Sequence, residues 1–137
     1  MIPILLDTSV VNRLSDLSVG DAVEEEIASG DAVLCAPVDY EICFSARNVR
    51  HLGELRGALG AFPHVPIHQA DFDRALDVQS ALCGRGSHRA VSMADLLIAA
   101  AAEARGCTLV HYDADFDLIA EVTGQPVRWV VPRGSVA

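Results

Sequence analysis

Four carboxylates in the chain stand where chemistry is possible: Asp7, Glu41, Asp95 and Asp113. Asp7 closes the apolar run Ile2 to Leu6, and Glu41 lies in the first turn or so of a helix that Pro37 opens. Asp95 lies in the first turn of an Ala-rich helix, and Asp113 follows the apolar run at Leu109. Each acid alone has an ordinary explanation. Asp7 suits a helix cap, Asp95 the fourth place of a capping-box variant begun by Ser92, Glu41 a solvated first turn, and Asp113 the start of a turn. Together they would repel one another unless a cation lay between them. Hard oxygen ligands without His or Cys point to Mg²⁺, with Mn²⁺ as the alternative.

Whether the four meet depends on the elements that carry them. Short apolar runs at Ile2–Leu6, Ala32–Ala36, Thr108–Val110 and Val127–Val131 read as buried strands, with Val65–Ile67 as a short edge strand. Helical patterns lie between them, at Asp21–Ala28, Pro37–Asn48, Leu52–Leu59, Asp71–Leu82, Ser92–Arg105 and Asp115–Val122, several closed by Gly. Gly84 to Arg89 reads as a loop. The alternation predicts an α/β fold, a three-layer αβα sandwich with a mainly parallel five-stranded sheet. The small residues Ala99 to Ala102 and Ala104 let their helix approach that sheet closely.

In an open parallel sheet, ligands bind beyond the carboxyl ends of the strands. From Asp95 to Gly106 a helix travels about 16 Å, and from Cys107 to Tyr112 a strand returns roughly 16–20 Å. Asp95 and Asp113 are therefore expected at one end of the sheet, the end that also holds Asp7 and Glu41.

Composition removes other chemistries. Of the 137 residues, 19 are acidic and 10 basic, a net charge of −9, and every basic residue is Arg. Without Lys there is no P-loop ATPase and no Schiff base to a pyridoxal cofactor. The charge also disfavours wrapping a nucleic acid by bulk electrostatics. Asp113-x-Asp115-x-Asp117 begins like a calcium loop, but Leu118 stands where Gly is required and Gly124 where the bidentate Glu should be. Asp7 at a strand end resembles the nucleophile of phospho-aspartyl phosphatases and receivers, yet the Lys that receivers use is missing, and Ser9 replaces the phosphatases' second Asp.

Cys35, Cys43, Cys83 and Cys107 fit no zinc or redox spacing and are expected to be buried thiols in a reducing compartment. The N-terminal apolar run lacks a basic leader and is broken by Asp7, and the stretch from Ala94 is too short for a bilayer, so a cytoplasmic protein with no membrane contact is expected.

At these residues the chain resembles the PIN-domain ribonucleases, and among them the VapC-type toxins of bacterial toxin–antitoxin modules. The resemblance rests on Leu6-Asp7-Thr8-Ser9-Val10-Val11, Tyr40-Glu41-Ile42, the run Ser87 to Ala100 around Asp95, and His111-Tyr112-Asp113-Ala114-Asp115-Phe116-Asp117. His111 departs from the family, which often has a small hydroxyl residue there. Ile42 stands where Leu is common.

The resemblance implies a single PIN domain over residues 1–137 that cleaves RNA phosphodiester bonds with Mg²⁺ or Mn²⁺. Asp7 and Asp95 would hold the principal ion, and Glu41 and Asp113 would complete its shell or hold a second. Asp113 is favoured as the fourth ligand, with Asp115 or Asp117 reaching a second ion through water. Thr8 or Ser9 would orient a carboxylate or a phosphate oxygen, and Arg85, His88 and Arg89 would bind the RNA backbone. Arg13 is undecided, and Arg47 and Arg50 either serve RNA or end a helix. Trp129 and His111 are expected in the core. The family also implies a homodimer and a cognate antitoxin. A catalytically silent PIN domain that binds RNA or protein, a housekeeping metal nuclease and a DNA flap nuclease are the competing readings.

Overall fold

The computed structural model describes residues 2–137. Ile4–Leu6 forms β1, Ala32–Val33 β2, Thr108–His111 β3 and Val127–Trp129 β4, and the sheet order is β2-β1-β3-β4. Every pairing is parallel: Leu5 lies opposite Val33 on one side and Leu109 on the other, and Val110 opposite Arg128. The central strands are apolar on both faces because helices cover both. Leu5, Leu6, Leu109 and Val110 are wholly buried.

The sheet has four strands rather than the expected five. At Val65–Ile67 only one bridge forms, between Leu34 and His64. Leu34 N–H donates to the Pro63 carbonyl and Val65 N–H to the Leu34 carbonyl, and pairing stops there. The next rung would involve Ala36, and there the chain already enters a helix.

The helices are α1 (Thr8–Val11), α2 (Leu17–Ser29), α3 (Ala36–Phe44), α4 (Val49–Leu59), α5 (Gln69–Gly84), α6 (Met93–Ala104) and α7 (Asp115–Thr123), with a 3₁₀ turn at His88–Ala90. The segment 84–89 is therefore partly helical at both ends rather than all loop. Among the described residues no helix is long and apolar enough to cross a membrane.

Two helices decide where Asp95 comes to rest. The first is α6, whose start is fixed by Ser92, the side chain of which accepts the Asp95 N–H at 3.1 Å. Its end is fixed by Gly106 at φ 67°, a left-handed turn that returns the chain into β3. Ala99, Ala100, Ala101 and Ala102 are all buried, as close helix packing requires.

The second is α5, which clamps α6 at its far end. Asp71 accepts the His68 N–H at 2.8 Å and pairs with Arg105 at 3.0 Å, and Arg74 pairs with Glu103 at 2.8 Å. Asp71 is buried, and hydrogen bonds from His68 and Arg105 hold its carboxyl below the usual range against the opposing effect of burial.

The cysteines divide: Cys35 and Cys107 are buried, Cys43 is half-buried, and Cys83 is exposed, contrary to expectation, on the outer face of α5. His111 is wholly buried, while Trp129 is half-buried and donates its indole N–H to Asp117.

Close packing of α6 gives a direct test. Ala101→Leu adds three carbons where no space exists and should destabilise the protein by about 1–3 kcal/mol in denaturant unfolding. The exposed Ala104→Leu should stay near wild type.

Candidate metal centre

Asp7 ends β1 and caps α1. One carboxylate oxygen, Oδ2, accepts the Ser9 N–H at 2.9 Å and the Ser9 hydroxyl at 2.6 Å. The Ser9 hydroxyl in turn accepts the Tyr112 N–H at 2.8 Å, so one oxygen atom ties the end of β1 to the end of β3. The other Asp7 oxygen, Oδ1, is buried and has no partner. A carboxylate oxygen in that state is costly unless something cationic or protic meets it.

Asp95 lies in the first turn of α6 and is 8% exposed. Asp113 follows β3: its N–H donates to His111 Nδ1 at 3.2 Å, and its Oδ1 accepts the Asp115 N–H at 2.9 Å. Glu41 is in the second turn of α3, slightly deeper than the sequence suggested, because the helix starts at Ala36. The Thr8 hydroxyl donates to Glu41 Oε1 at 2.6 Å, joining the residue after β1 to α3.

These four acids line one cleft of about 300 Å³. Asp95, Asp113 and Asp115 each offer a carboxylate oxygen within 4.8 Å of the others. Asp115 thus joins the group. Asp117 turns away, its oxygens taken up by the Trp129 indole at 3.1 Å and facing His111 at 3.7 Å.

Electrostatics follow from this crowding. Burial, then the nearby charges of Asp7 and Asp113, push the Asp95 carboxyl up to about 7. Asp7 is also raised, chiefly by burial and further by Glu41, against the opposing hydrogen bonds from Ser9. Asp115 is raised by burial and by Asp113. Carboxylate oxygens converge here from four segments, the donor set that suits a hard divalent cation, and the orphaned Asp7 oxygen and the raised Asp95 fit such a set without one.

The other sequence candidates lie elsewhere. Arg85 is exposed and pairs with Glu121 at 3.3 Å, Arg89 is exposed, and His88 is half-buried on the 3₁₀ turn. None of the three lines the acidic cleft. Conversely, Asn12, Arg13 and Tyr112 do line it. The sequence offered Asn12 and Tyr112 no signal, and Arg13 only its place shortly after the first acid.

A larger groove of about 720 Å³ between α3 and α4 is lined by Tyr40, Cys43, Phe44 and Leu52 and holds no comparable acid cluster. Tyr40 and Phe44 are strongly exposed.

The profile of the PIN domain matches residues 4–122. The chain belongs to the PIN-domain family. A relative named Ribonuclease VapC51, from Mycobacterium tuberculosis, is 46% identical over 132 residues, covering 96% of each chain. Ribonuclease VapC18 of the same organism is 35% identical over 133 residues, covering 96% of this chain and 97% of the relative. Among solved structures, DNA-bound VapBC from Salmonella typhimurium superposes with a TM-score of 0.77 at 16% identity, covering 96% of this chain and 100% of that one. FitAcB from Neisseria gonorrhoeae superposes at 0.69 and 21% identity, covering 93% and 97%. This PIN domain therefore shares its fold with the VapBC and FitAcB chains.

The raised acids set the pH dependence of the ion-free protein. Asp95 binds its proton more tightly folded than unfolded, so its contribution to stability is full below about pH 4, the ordinary range, and is lost as pH rises through about 7. In EDTA the melting temperature should fall between pH 5 and pH 8. Asp95→Asn should flatten that dependence, and saturating Mn²⁺ should raise the melting temperature at pH 8 in wild type but not in Asp95→Asn. A pH-independent melting temperature in wild type would contradict the burial and like-charge crowding of Asp95.

Proposed function

We propose that the chain is an endoribonuclease that depends on a divalent metal, Mg²⁺ with Mn²⁺ able to replace it, and that a cognate antitoxin holds it in check. The observation that carries this reading is the convergence of four carboxylates from four separate segments on one cleft, with one buried Asp7 oxygen left unpartnered. The ribonuclease names of the relatives, at up to 46% identity over nearly the whole chain, supply the substrate class.

In this reading Asp7 and Asp95 hold the principal ion, and Glu41 and Asp113, with Asp115 beside them, complete its shell or hold a second. Bound there, such an ion supplies Lewis acidity toward phosphate oxygens and water. The chain does the positioning. Ser9 fixes the rotamer of Asp7, Thr8 fixes Glu41, and the first turn of α6 fixes Asp95. Thr8 also stands at the cleft wall, where a substrate phosphate would meet its hydroxyl. Arg85, His88 and Arg89, on the approach to α6, serve strand positions beyond the cleft.

The antitoxin part of the reading is supported by the solved neighbours, which are toxin–antitoxin complexes. It is also supported by the exposed apolar side chains Tyr40 and Phe44, on the helix that carries Glu41. A partner protein covering that groove would sit beside the cleft. Homodimer formation is proposed on the family resemblance.

A cleavage assay decides the reading. Purified protein should cut single-stranded RNA in Mg²⁺ or Mn²⁺ and stop in EDTA. Asp7→Asn and Asp95→Asn should lose at least ~100-fold in rate with folding intact by circular dichroism. Ser9→Ala, which removes the hydroxyl from Asp7 but leaves the backbone N–H on it, should weaken Mn²⁺ binding by about 10-fold. Undiminished cleavage in Asp7→Asn or Asp95→Asn would remove this site from the chemistry, and metal binding without cleavage of any RNA would favour a silent binding domain.

A further inference from the structure

A histidine stands wholly buried two residues before Asp113. His111 ends β3, and its ring packs against Phe116 and Trp129, with centres 5.3 Å and 5.0 Å away. Nothing in that packing calls for a nitrogen. Yet Nδ1 accepts the Asp113 N–H at 3.2 Å, and a ring nitrogen that accepts carries no proton. The ring's proton is therefore on Nε2, which is buried with no hydrogen-bond partner. Asp117 Oδ1, at 3.7 Å, is beyond hydrogen-bond reach. An unpartnered N–H in the core is destabilising, and an apolar side chain of similar size would avoid it. Among the described residues, the one hydrogen bond the ring makes goes to Asp113.

That bond opens a short ladder. His111 Nδ1 accepts the N–H of Asp113, and Asp113 Oδ1 accepts the N–H of Asp115 at 2.9 Å, each side chain holding the backbone two residues on. The first rung orients the peptide at Asp113, and the second fixes its carboxylate and the peptide at Asp115. The acceptor is itself anchored, because the His111 carbonyl takes the Val130 N–H at 2.8 Å while the ring is packed. Asp95, on α6, offers an oxygen within 4.8 Å of oxygens from both Asp113 and Asp115. Those two acids lie on the turn out of β3 rather than on a long helix, so their approach to Asp95 depends on how that turn is held.

We propose that His111 is a positioning residue for the carboxylate cluster, its Nδ1 holding Asp113, and through it Asp115, where they face Asp95. The proposal rests on the metal-nuclease reading of the cleft. It adds a residue that touches neither the ion nor the strand.

Two substitutions pull packing and hydrogen bonding apart. His111→Leu keeps a side chain of similar volume against Phe116 and Trp129 and removes both ring nitrogens. Its melting temperature in EDTA should stay within a few degrees of wild type. Its Mn²⁺ affinity, titrated well below the melting transition, should fall about 10-fold or more. His111→Asn does the opposite: its Oδ1 offers an acceptor near the place of Nδ1, and the ring is lost. Its melting temperature should fall by about 5 °C or more, with Mn²⁺ affinity within about 3-fold of wild type. His111→Met, also apolar and more adaptable in shape, repeats the leucine test should that variant fold poorly.

Mn²⁺ affinity that follows the melting temperature, unchanged in His111→Leu and weakest in His111→Asn, would make His111 a packing residue and overturn the proposal. Equal losses in both variants would overturn it as well. RNA cleavage in Mn²⁺, measured beside the titrations, separates this proposal from the reading beneath it. The expected pattern of Mn²⁺ affinities with no cleavage by wild type would remove the nuclease reading and keep the role of His111. Metal-dependent cleavage by wild type, with rate and Mn²⁺ affinity undiminished in His111→Leu, would do the reverse.

Discussion

Carboxylates that would rather be apart are held together at the carboxyl end of the sheet, and the local structure is arranged around that repulsion. Asp7 is 3% exposed and Asp95 8%, so neither can spread its charge into water. Burial and proximity raise both, Asp95 to about 7. A fold free to relax would turn one of them outward. It does not relax, because each acid is fixed by its backbone: Asp7 at the end of the central strand, Asp95 in the first turn of a helix packed through alanines, and Asp113 on the turn out of β3. The repulsion is local, confined to the cleft, and the rest of the fold is packed independently of it.

Ser9 is the joint through which the sheet imposes that order. Its hydroxyl donates to Asp7 and accepts from the Tyr112 backbone, so the spacing between β1 and β3 becomes the orientation of a carboxylate. Thr8, one residue earlier, does the same across to α3 through Glu41. Adjacent hydroxyls on a four-residue helix therefore orient two acids from different layers. Parallel strands make this possible, because they bring β1 and β3 to the same edge and leave their exits side by side.

Much of this was legible in the sequence for a topological reason. Alternating apolar runs and helical patterns dictate a parallel sheet, and a parallel sheet dictates which end each acid reaches. That argument places Asp7, Asp95 and Asp113 together without any side-chain detail. It was weaker where the neighbouring strand ends early: Val65–Ile67 has the composition of a strand, but the chain beside it enters a helix at Ala36, and only the bridge at His64 forms. Cys83 was misplaced because burial was inferred from residue type, while its position on α5 faces water. The surroundings of Arg13 were illegible for another reason. They come from the Ser9 carbonyl, four residues away, and an oxygen of Ala137, 124 residues away, and no local pattern links those three.

The net charge of −9 takes on a different meaning once the acids are sorted. As a bulk field it repels a polyanion, and nothing in the fold removes that repulsion at long range. At the cleft the balance is local. Acids crowded enough to raise one another call for a cation, and a bound divalent ion would reverse the sign that a phosphate meets at short range. Arg13, on the same wall, pairs with none of the cleft carboxylates among the described residues, because its donors go to the Ser9 carbonyl and to an oxygen of Ala137. The acids are therefore left without an internal counter-ion, and their mutual repulsion stands until a cation from solution meets it.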